Sequence, residues 1–422
     1  MEFDVAVIGG GPAGLSAACA AREAGASSVV ILERDTELGG ILRQCVHTGF
    51  GLRVFREDLT GPEFAERLVK RAGELNVAVE AGSFVLSVTP DRRVRASSKR
   101  GILEVAAGAV VLCMGCRERT RGSLAIPGSR PAGIWTAGAA QRLINVEGYL
   151  PGKRVLIAGS GDVGLIMARR LALEGAEVLG VVEIAPYPGG LIRNVVQCLE
   201  DYGIPLLLSH AVTAIGGARR LEWVEVSEVG PGMKPIPGTG RIVECDTLLL
   251  SVGLIPENEL SRAVGIPLDP RTGGPIVTNF METTVRGIFA SGNVVHVNDL
   301  VDNVSDEARI AGEEAAAFAK YGPRAVVRFL EVIPGERVRS VVPQRLAAAG
   351  QDTITLDLRV TEPVEDALIE VSAGGGRLAV YRRRRLRPGE MVRIPITRAQ
   401  IDSVPWDRNK VYVSIRSDGR VG

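Results

Sequence analysis

The sequence has little from which a metal centre, a disulfide framework or a membrane anchor could be built. Only three histidines occur in 422 residues, and none stands at a metal-ligand spacing, so no bound metal is expected. The six cysteines, at 19, 45, 113, 116, 198 and 245, are too few and too scattered for a disulfide framework. Reduced thiols of that kind fit a cytoplasmic protein. Neither sign of charge is in excess: 50 Lys and Arg against 49 Asp and Glu leave +1, which creates no field for nucleic acid or an anionic membrane. No run reaches the roughly 20 apolar residues that cross a bilayer. An apolar strand follows Met1 almost at once, where a signal peptide would carry basic residues. A GxSxG elbow is missing, so acyl transfer has no nucleophile. These absences leave a globular chain of two or three domains with 46% apolar residues.

Glycine, by contrast, is abundant, with 51 residues, and its placement carries the strongest signal. Slid by 150 positions, VAVIGGGPAGLSAACAAREAGASSVVILERDTELGGILR (5–43) falls without a gap on VLIAGSGDVGLIMARRLALEGAEVLGVVEIAPYPGGLIR (155–193). Gly9, Gly11, Gly14, Gly25, Glu33, Gly39, Gly40 and Arg43 coincide with Gly159, Gly161, Gly164, Gly175, Glu183, Gly189, Gly190 and Arg193. Each copy reads as a β-run, a glycine turn, an Ala/Leu-rich helix stopped by Gly25 or Gly175, and a second β-run closed by Glu33 or Glu183. In such a βαβ unit the first glycine allows the tight turn, the second admits a pyrophosphate to the backbone, and the third lets helix and strand pack. The helix N-terminus then faces the phosphates and the acid faces a ribose.

The pattern continues more loosely. Runs 84–88, 94–97 and 102–105 read as a small β-meander before an apolar strand at 109–114 that ends at Gly115. In the second copy 221–229 and 242–250 play the same parts and end at Gly253. A strand at 287–290 ending in Ser291-Gly292-Asn293, followed by a helix over about 301–320, has no partner in the second copy and could complete the first. From 323 the text turns to short β-rich segments, at 353–360, 368–371, 378–383, 391–396 and 410–415, expected to form an all-β sandwich-like domain. Arg382 to Arg385 with Arg387 read as a solvated strand or a docking face. The expected architecture is therefore α/β: two Rossmann-like dinucleotide-binding domains, the second (119–255) inserted in the first (1–118 and 256–322), plus a C-terminal all-β domain (323–422).

Two dinucleotide sites in one chain have a natural use, because a hydride passes between two cofactors whose phosphates are held separately. A flavin at the first site and a nicotinamide at the second fit that use. After Glu183 come Ile184-Ala185-Pro186 with no arginine for a 2′-phosphate, which favours NADH over NADPH.

The chain resembles the two-dinucleotide-domain flavoprotein reductases, the group that includes thioredoxin reductase and the pyridine nucleotide-disulfide enzymes. GGGPAG with Glu33, the strand ending Cys113-Met114-Gly115, SVGLIPEN (251–258) and ETTVRGIFASGN (282–293) match in order over residues 1 to about 322. RQCVHTGFGLRVFREDLTGPEFAERL (43–68), CRERTRG (116–122), AGIWTAGAAQRLIN (132–145) and GNVVHVNDLVD (292–302) are similar to a narrower group. That group holds the flavoprotein accompanying anaerobic-type glycerol-3-phosphate dehydrogenase with a small cysteine-bearing protein, and the larger subunits of opine oxidase, hydrogen cyanide synthase and sarcosine oxidase. The resemblance implies an FAD site at Gly9, Gly11, Pro12, Ala13, Gly14, Glu33, Arg34, Gly40, Gly115, Gly292 and Asn293. It implies an NAD(H) site at Gly159, Gly161, Asp162, Val163, Gly164, Glu183 and Gly253. Asn293 departs from the broad pattern, which has Asp there; Asn keeps the hydrogen bonds and loses the charge. The β-rich tail lacks cysteine, so it offers no thiolates for an iron–sulfur relay.

Cys45 and His47 are the candidate residues for chemistry beside a flavin, since Gly39-Gly40 lead the chain toward it. The alternative is a small buried thiol and an imidazole that hold a loop. Cys113 and Cys116 form the one CxxC, at a strand end. Three functions are consistent with these residues. The first is an FAD-dependent oxidoreductase that exchanges hydride with NAD(H) and passes electrons to or from a partner dehydrogenase subunit, of glycerol-3-phosphate or amino-acid/opine type. The second is a stand-alone disulfide or thiol reductase, and the third a non-catalytic assembly subunit that binds an adenine nucleotide. An oligomer is open in each case.

Overall fold

The computed structural model describes residues 1–325, 328–348 and 350–417. Residues 326, 327, 349 and 418–422, part of the expected C-terminal domain, lie outside the described residues. The chain forms two compact units, Met1–Cys116 with Pro256–Gly422 and, between them in sequence, Arg117–Ile255.

The first unit is built on a seven-stranded sheet. Its centre is parallel: Glu2–Ile8 lies between Val29–Glu33 and Gly101–Leu112, and Val29–Glu33 in turn pairs with Ala78–Ala81. Within them Val5 to Ile8 and Val29 to Leu32 read as continuous apolar runs because both faces are covered. Gly101–Leu112 is one long strand where two runs, 102–105 and 109–114, were expected. Its first half pairs antiparallel with Arg93–Ser98 to make the meander, and its second half joins the parallel sheet. Gly108 permits this continuity, since a Cβ there would come within 2.8 Å of the Asp4 carbonyl and 2.9 Å of Ala319. Ile288–Ala290 pairs parallel with Val110 to Leu112, so the third marked stretch joins the sheet of the first unit.

Helix Pro12–Glu23 is buried from Ala13 through Ala21, and its small residues let other layers close on it from more than one side. Helix Val301–Tyr321 crosses it at Gly312, where a Cβ would stand 2.1 Å from the Ala17 carbonyl. The first of these helices ends in a Schellman turn: Gly25, at φ +95°, donates to the Arg22 carbonyl and Ala26 to that of Ala21. The second unit repeats this ending 150 residues on, with Gly175 donating to Ala172 and Ala176 to Leu171.

The second unit holds a five-stranded parallel sheet in the order Ile134–Thr136, Thr247–Leu250, Arg154–Ala158, Glu177–Glu183, Leu206–Leu208. A separate antiparallel sheet joins His210–Gly216, Trp223–Glu228 and Arg241–Glu244. The expected single run 242–250 is thus two strands in two sheets. The Asp246 carboxylate breaks it by accepting the backbone N–H groups of Lys153 and Arg154, which turns the chain toward the parallel sheet.

Two sheets make the C-terminal part. Five strands run in the order Arg345–Ala347, Phe329–Pro334, Lys410–Ser417, Val364–Ala373, Gly376–Leu386, and three in the order Val338–Val342, Thr353–Val360, Val392–Thr397. Alternate residues of both sheets, among them Leu356, Leu358, Ile394, Ile396, Ile369, Val371, Val413 and Ile415, fill a common core. Arg382 to Arg385 lie exposed on the edge strand Gly376–Leu386, where Arg385 pairs with Glu365 at 2.7 Å. Charge on an edge strand discourages pairing with another sheet.

Candidate functional site

At the N-terminal turn three glycines do three different jobs. Gly9 sits at φ +101°, and a Cβ there would lie 2.5 Å from the Cys113 carbonyl. A Cβ at Gly14 would lie 1.8 Å from the Gly9 carbonyl. These two are required by the fold. Gly11 is different: its φ is −76°, and a Cβ would meet nothing closer than Gly40 Cα at 3.9 Å. The space in front of it is open. Gly40 closes against this turn, with its own Cβ position 2.9 Å from Gly11 Cα, and the Gly39 N–H donates to the Gly10 carbonyl at 2.8 Å.

No side chain caps the N-terminus of helix Pro12–Glu23, so the backbone N–H groups at Ala13 and Gly14 belong to an uncapped first turn, the arrangement that binds phosphate. Pro12 starts the helix without an N–H to satisfy. The buried Glu33 carboxylate accepts the Gly10 N–H at 2.5 Å and the Asp35 N–H at 2.8 Å, which fixes it beside the turn with acceptor capacity left for ribose hydroxyls. Arg34 follows it, exposed.

The second unit builds the same object. Gly159 (φ +95°) would drive a Cβ to 2.1 Å from the Ser251 carbonyl, and Gly164 to 2.7 Å from the Gly159 carbonyl. Gly161, at φ −64°, is again open, with Ser251 Oγ at 3.6 Å from the added Cβ. Glu183 accepts from the Ser160 and Ala185 N–H groups, each at 2.9 Å, the counterparts of Gly10 and Asp35 shifted by 150 residues. Asp162 opens helix Asp162–Leu173 and turns its carboxylate to the Leu191 N–H (2.8 Å) and Asn194 Nδ2 (2.7 Å). Val163 follows, half-buried. Gly253, at φ +105°, closes the unit with its carbonyl on the Arg119 N–H at 3.1 Å. Both cradles therefore fit a dinucleotide.

Around the first cradle, Gly115 (φ +73°) and Gly292 (φ +75°) end their strands in conformations that favour glycine. Asn293 Oδ1 accepts the Asn298 N–H at 2.9 Å, and its Nδ2 donates to Cys116 Sγ at 3.6 Å. The loop after Gly40 is held by Asp302, whose buried carboxylate accepts N–H groups of Gly51, Arg53 and Val54.

Cys19, Cys45, Cys113, Cys198 and Cys245 are kept in their protonated form. Burial pushes Cys45 and Cys113 up to about 12 and Cys19 and Cys245 up to about 11; Cys198 is raised for the same reason. Cys45 Sγ donates to the Ile41 carbonyl at 3.3 Å, while His47 places Nδ1 2.9 Å from the Thr48 carbonyl and its ring 5.0 Å from that of Phe50. A protonated thiol is neither a nucleophile nor a charge-transfer donor, so this geometry favours the loop-holding role.

One cluster had no signal in the sequence. His296, Glu307 and Asp357 bring ligand atoms within 4.8 Å of one another, all buried, although Asp357 comes from a distant strand. His296 Nε2 and Glu307 Oε1 are 2.6 Å apart. Arg393 Nε stands 2.9 Å from Asp357 Oδ1, an electrostatic contact without hydrogen-bond alignment, and supplies the positive charge a cation would bring. Burial, then the nearby Glu307, raises Asp357 to about 6, against the pull of Arg393 and His296. Burial pulls His296 down, but Glu307, by charge and hydrogen bond, and Asp357 together outweigh it and Arg359 and raise it. A raised folded-state pKa contributes stability that is complete below the unfolded value and is lost as pH rises through the folded one. The stability of the wild type relative to Asp357→Asn is therefore expected to fall between about pH 4 and pH 7, by at most about 1.4 kcal/mol per pH unit, the slope of one proton. Denaturant midpoints of both proteins across that range measure it, and parallel curves would contradict it.

Comparison with known proteins agrees with this geometry. The family model for pyridine nucleotide-disulphide oxidoreductases matches residues 3–332. An opine oxidase subunit of Agrobacterium tumefaciens (strain Ach5) is 29% identical over 344 residues, 74% of this chain and 63% of that protein. Hydrogen cyanide synthase subunit HcnB of Pseudomonas protegens is 27% identical over 288 residues, 63% of this chain and 60% of that protein. The match thus spans less than two thirds of either relative's length. Thioredoxin reductase of T. acidophilum shares the fold, with a TM-score of 0.63 and 23% identity over 76% of this chain and 99% of that one. Among the described residues no helix is long and apolar enough to cross a membrane. The chain belongs to the pyridine nucleotide-disulphide oxidoreductases, FAD-dependent enzymes that exchange electrons with NAD(P)H.

Proposed function

We propose that this chain is the flavin-bearing subunit of a cytoplasmic dehydrogenase assembly, exchanging hydride with NAD(H) and passing electrons to or from a partner dehydrogenase subunit. The partner handles the organic substrate, of glycerol-3-phosphate or amino-acid/opine type, and a small cysteine-bearing protein completes the assembly. In this reading 1–118 with 256–322 hold FAD, 119–255 hold NAD(H), and 323–422 form the β domain. The observation that carries it is the duplicated cradle, with the same acid-to-backbone hydrogen bonds at Glu33 and Glu183, in a chain whose Cys45 and Cys113 thiols are pushed up to about 12. Two relatives whose names call them subunits support the assembly.

FAD, when bound, supplies the two-electron couple for the exchange. The protein's own part is placement: the open positions at Gly11 and Gly161 receive phosphates, the uncapped helix starts stabilise their charge, and Glu33 and Glu183 orient riboses. Glu183, buried and already committed to two backbone N–H groups, would repel a 2′-phosphate, which favours NADH. Little acid–base help is needed once the reacting atoms are held in place.

The experiment is substitution of the thiols. Cys45→Ser and Cys113→Ser, singly and together, are expected to keep NADH-driven dye reduction within about twofold of wild type, a difference of under about 0.5 kcal/mol. Loss of about a hundredfold in the double variant would contradict this reading and return a thiol to the mechanism.

A further inference from the structure

The three-stranded sheet of the C-terminal sandwich turns its apolar side chains inward and its charges toward the 292–306 segment. On strand Thr353–Val360, Ile354, Leu356, Leu358 and Val360 are in the core, and Asp357 and Arg359 point the other way. Arg393 stands opposite Asp357 in the register of the neighbouring strand. Its Nη1 donates to Asn303 Oδ1 (2.9 Å) and Asp306 Oδ2 (3.0 Å) on helix Val301–Tyr321, and Asp306 also pairs with Arg53. Arg359 pairs with Asp299 and donates to the Val297 carbonyl at 3.0 Å.

The link to the candidate flavin turn is Glu307. Its Oε2 accepts the Gly292 N–H at 3.1 Å and Asn298 Nδ2 at 3.4 Å, while Oε1 meets His296. Asn298 in turn holds the Asn293 side chain. One carboxylate thus fixes the backbone of Gly292 and, through Asn298, the orientation of Asn293. Asp357 and Arg393 are the charges that the sandwich adds to it. Burying Asp357, Glu307 and His296 is costly, and an apolar dock of similar shape would hold two domains together at least as well. Buried charges are also weakly screened, so they act on a neighbouring redox group more strongly than surface charges do.

We propose that Asp357 and Arg393 are positioning residues for the flavin: acting through the His296–Glu307 pair on the Gly292–Asn293 turn, they set its reduction potential with two opposed charges, one buried and one partly buried. This gives the C-terminal sandwich a function, and it rests on the reading of Gly292 and Asn293 as part of the FAD site. The charged groups facing His296 and Glu307 are then Asp357, Arg359 and Arg393 from the sandwich, and Asp299 and Asp306 from the segment they clamp.

The test is the two-electron flavin potential of the full-length, FAD-loaded protein, measured by equilibration with a reference dye at pH 8, where Asp357 is ionised. Asp357→Asn removes a negative charge and is expected to favour reduced flavin about tenfold, a rise of about 30 mV for a two-electron couple. Arg393→Met is expected to move it the opposite way by a similar factor, and Asp357→Glu to return it toward the wild-type value. Shifts of the same sign, or of less than twofold with FAD bound, would overturn the proposal, because loosened packing alone moves both variants alike. If Arg393→Met does not fold, the contrast between Asp357→Asn and Asp357→Glu decides alone. Asn293→Ala separates the two levels: unchanged FAD affinity and potential there would reject the site itself. Altered FAD affinity with no split between Asp357→Asn and Arg393→Met would reject only this inference.

Discussion

Gly161→Asp is expected to give a folded, yellow protein that NADH no longer bleaches. The backbone at Gly161 (φ −64°, ψ 159°) suits any residue, and the new Cβ would be in ordinary contact with Ser251. Asp is also a favoured residue at a helix N-cap, the position Gly161 occupies. The substitution therefore does not disturb folding and puts a carboxylate where the pyrophosphate of NADH would lie. A loss of at least about a hundredfold in kcat/KM for NADH, roughly 2.7 kcal/mol of transition-state stabilisation, is expected with flavin content unchanged. Anaerobic stopped-flow at the flavin absorbance band measures it. Gly164→Ala would not be an equivalent probe, because its Cβ would lie 2.7 Å from the Gly159 carbonyl and the fold itself would be strained.

Gly11→Asp is the matching experiment at the first cradle, and its expected product is colourless. Gly11 is likewise an N-cap with an extended backbone, φ −76° and ψ −172°, so the apoprotein should fold with stability changed by only about a few tenths of a kcal/mol. What is lost is the stabilisation that a bound ligand confers, about 2.7 kcal/mol when FAD is present at roughly 100 times its dissociation constant. Thermal melts with and without added FAD should show a rise for the wild type and none for the variant. A variant that still binds FAD and melts higher on its addition would remove Gly11 from the site.

The contrast between these glycines explains how much of the protein could be read in advance. The repeat was legible because a dinucleotide cradle demands particular residues at fixed offsets: Gly9 and Gly14 where a Cβ would strike a carbonyl, Gly25 where a Schellman turn needs a positive φ, Glu33 where two N–H groups converge. Each requirement is local, so each left a mark, and it left it twice. The two strands made from 242–250 were not legible, because the apolar pattern continues through a break that depends on Asp246 meeting Lys153 and Arg154 from a distant segment. Strands Phe329–Pro334, Val338–Val342 and Arg345–Ala347 carry no clear mark for a related reason. They are short, and two of them complete the five-stranded sheet that Lys410–Ser417 organises from the far end of the chain.

The charged cluster is the extreme case. His296, Glu307, Asp357 and Arg393 come together from two parts of the fold, and none of them stands at a spacing that local chemistry requires. Cys45 and His47 show the converse. Their position after Gly39-Gly40 marks them out, yet the Cys45 Sγ contact with the Ile41 carbonyl and the His47 contact with the Thr48 carbonyl speak for a held loop.

If two phosphate cradles in one chain serve one redox exchange, NADH must reduce the bound flavin, and anaerobic titration of the purified wild-type protein with NADH shows whether it does. The flavin spectrum is expected to bleach in proportion to added NADH, with bleaching complete near one equivalent per FAD. A flavin spectrum unchanged by excess NADH under the same conditions would contradict it.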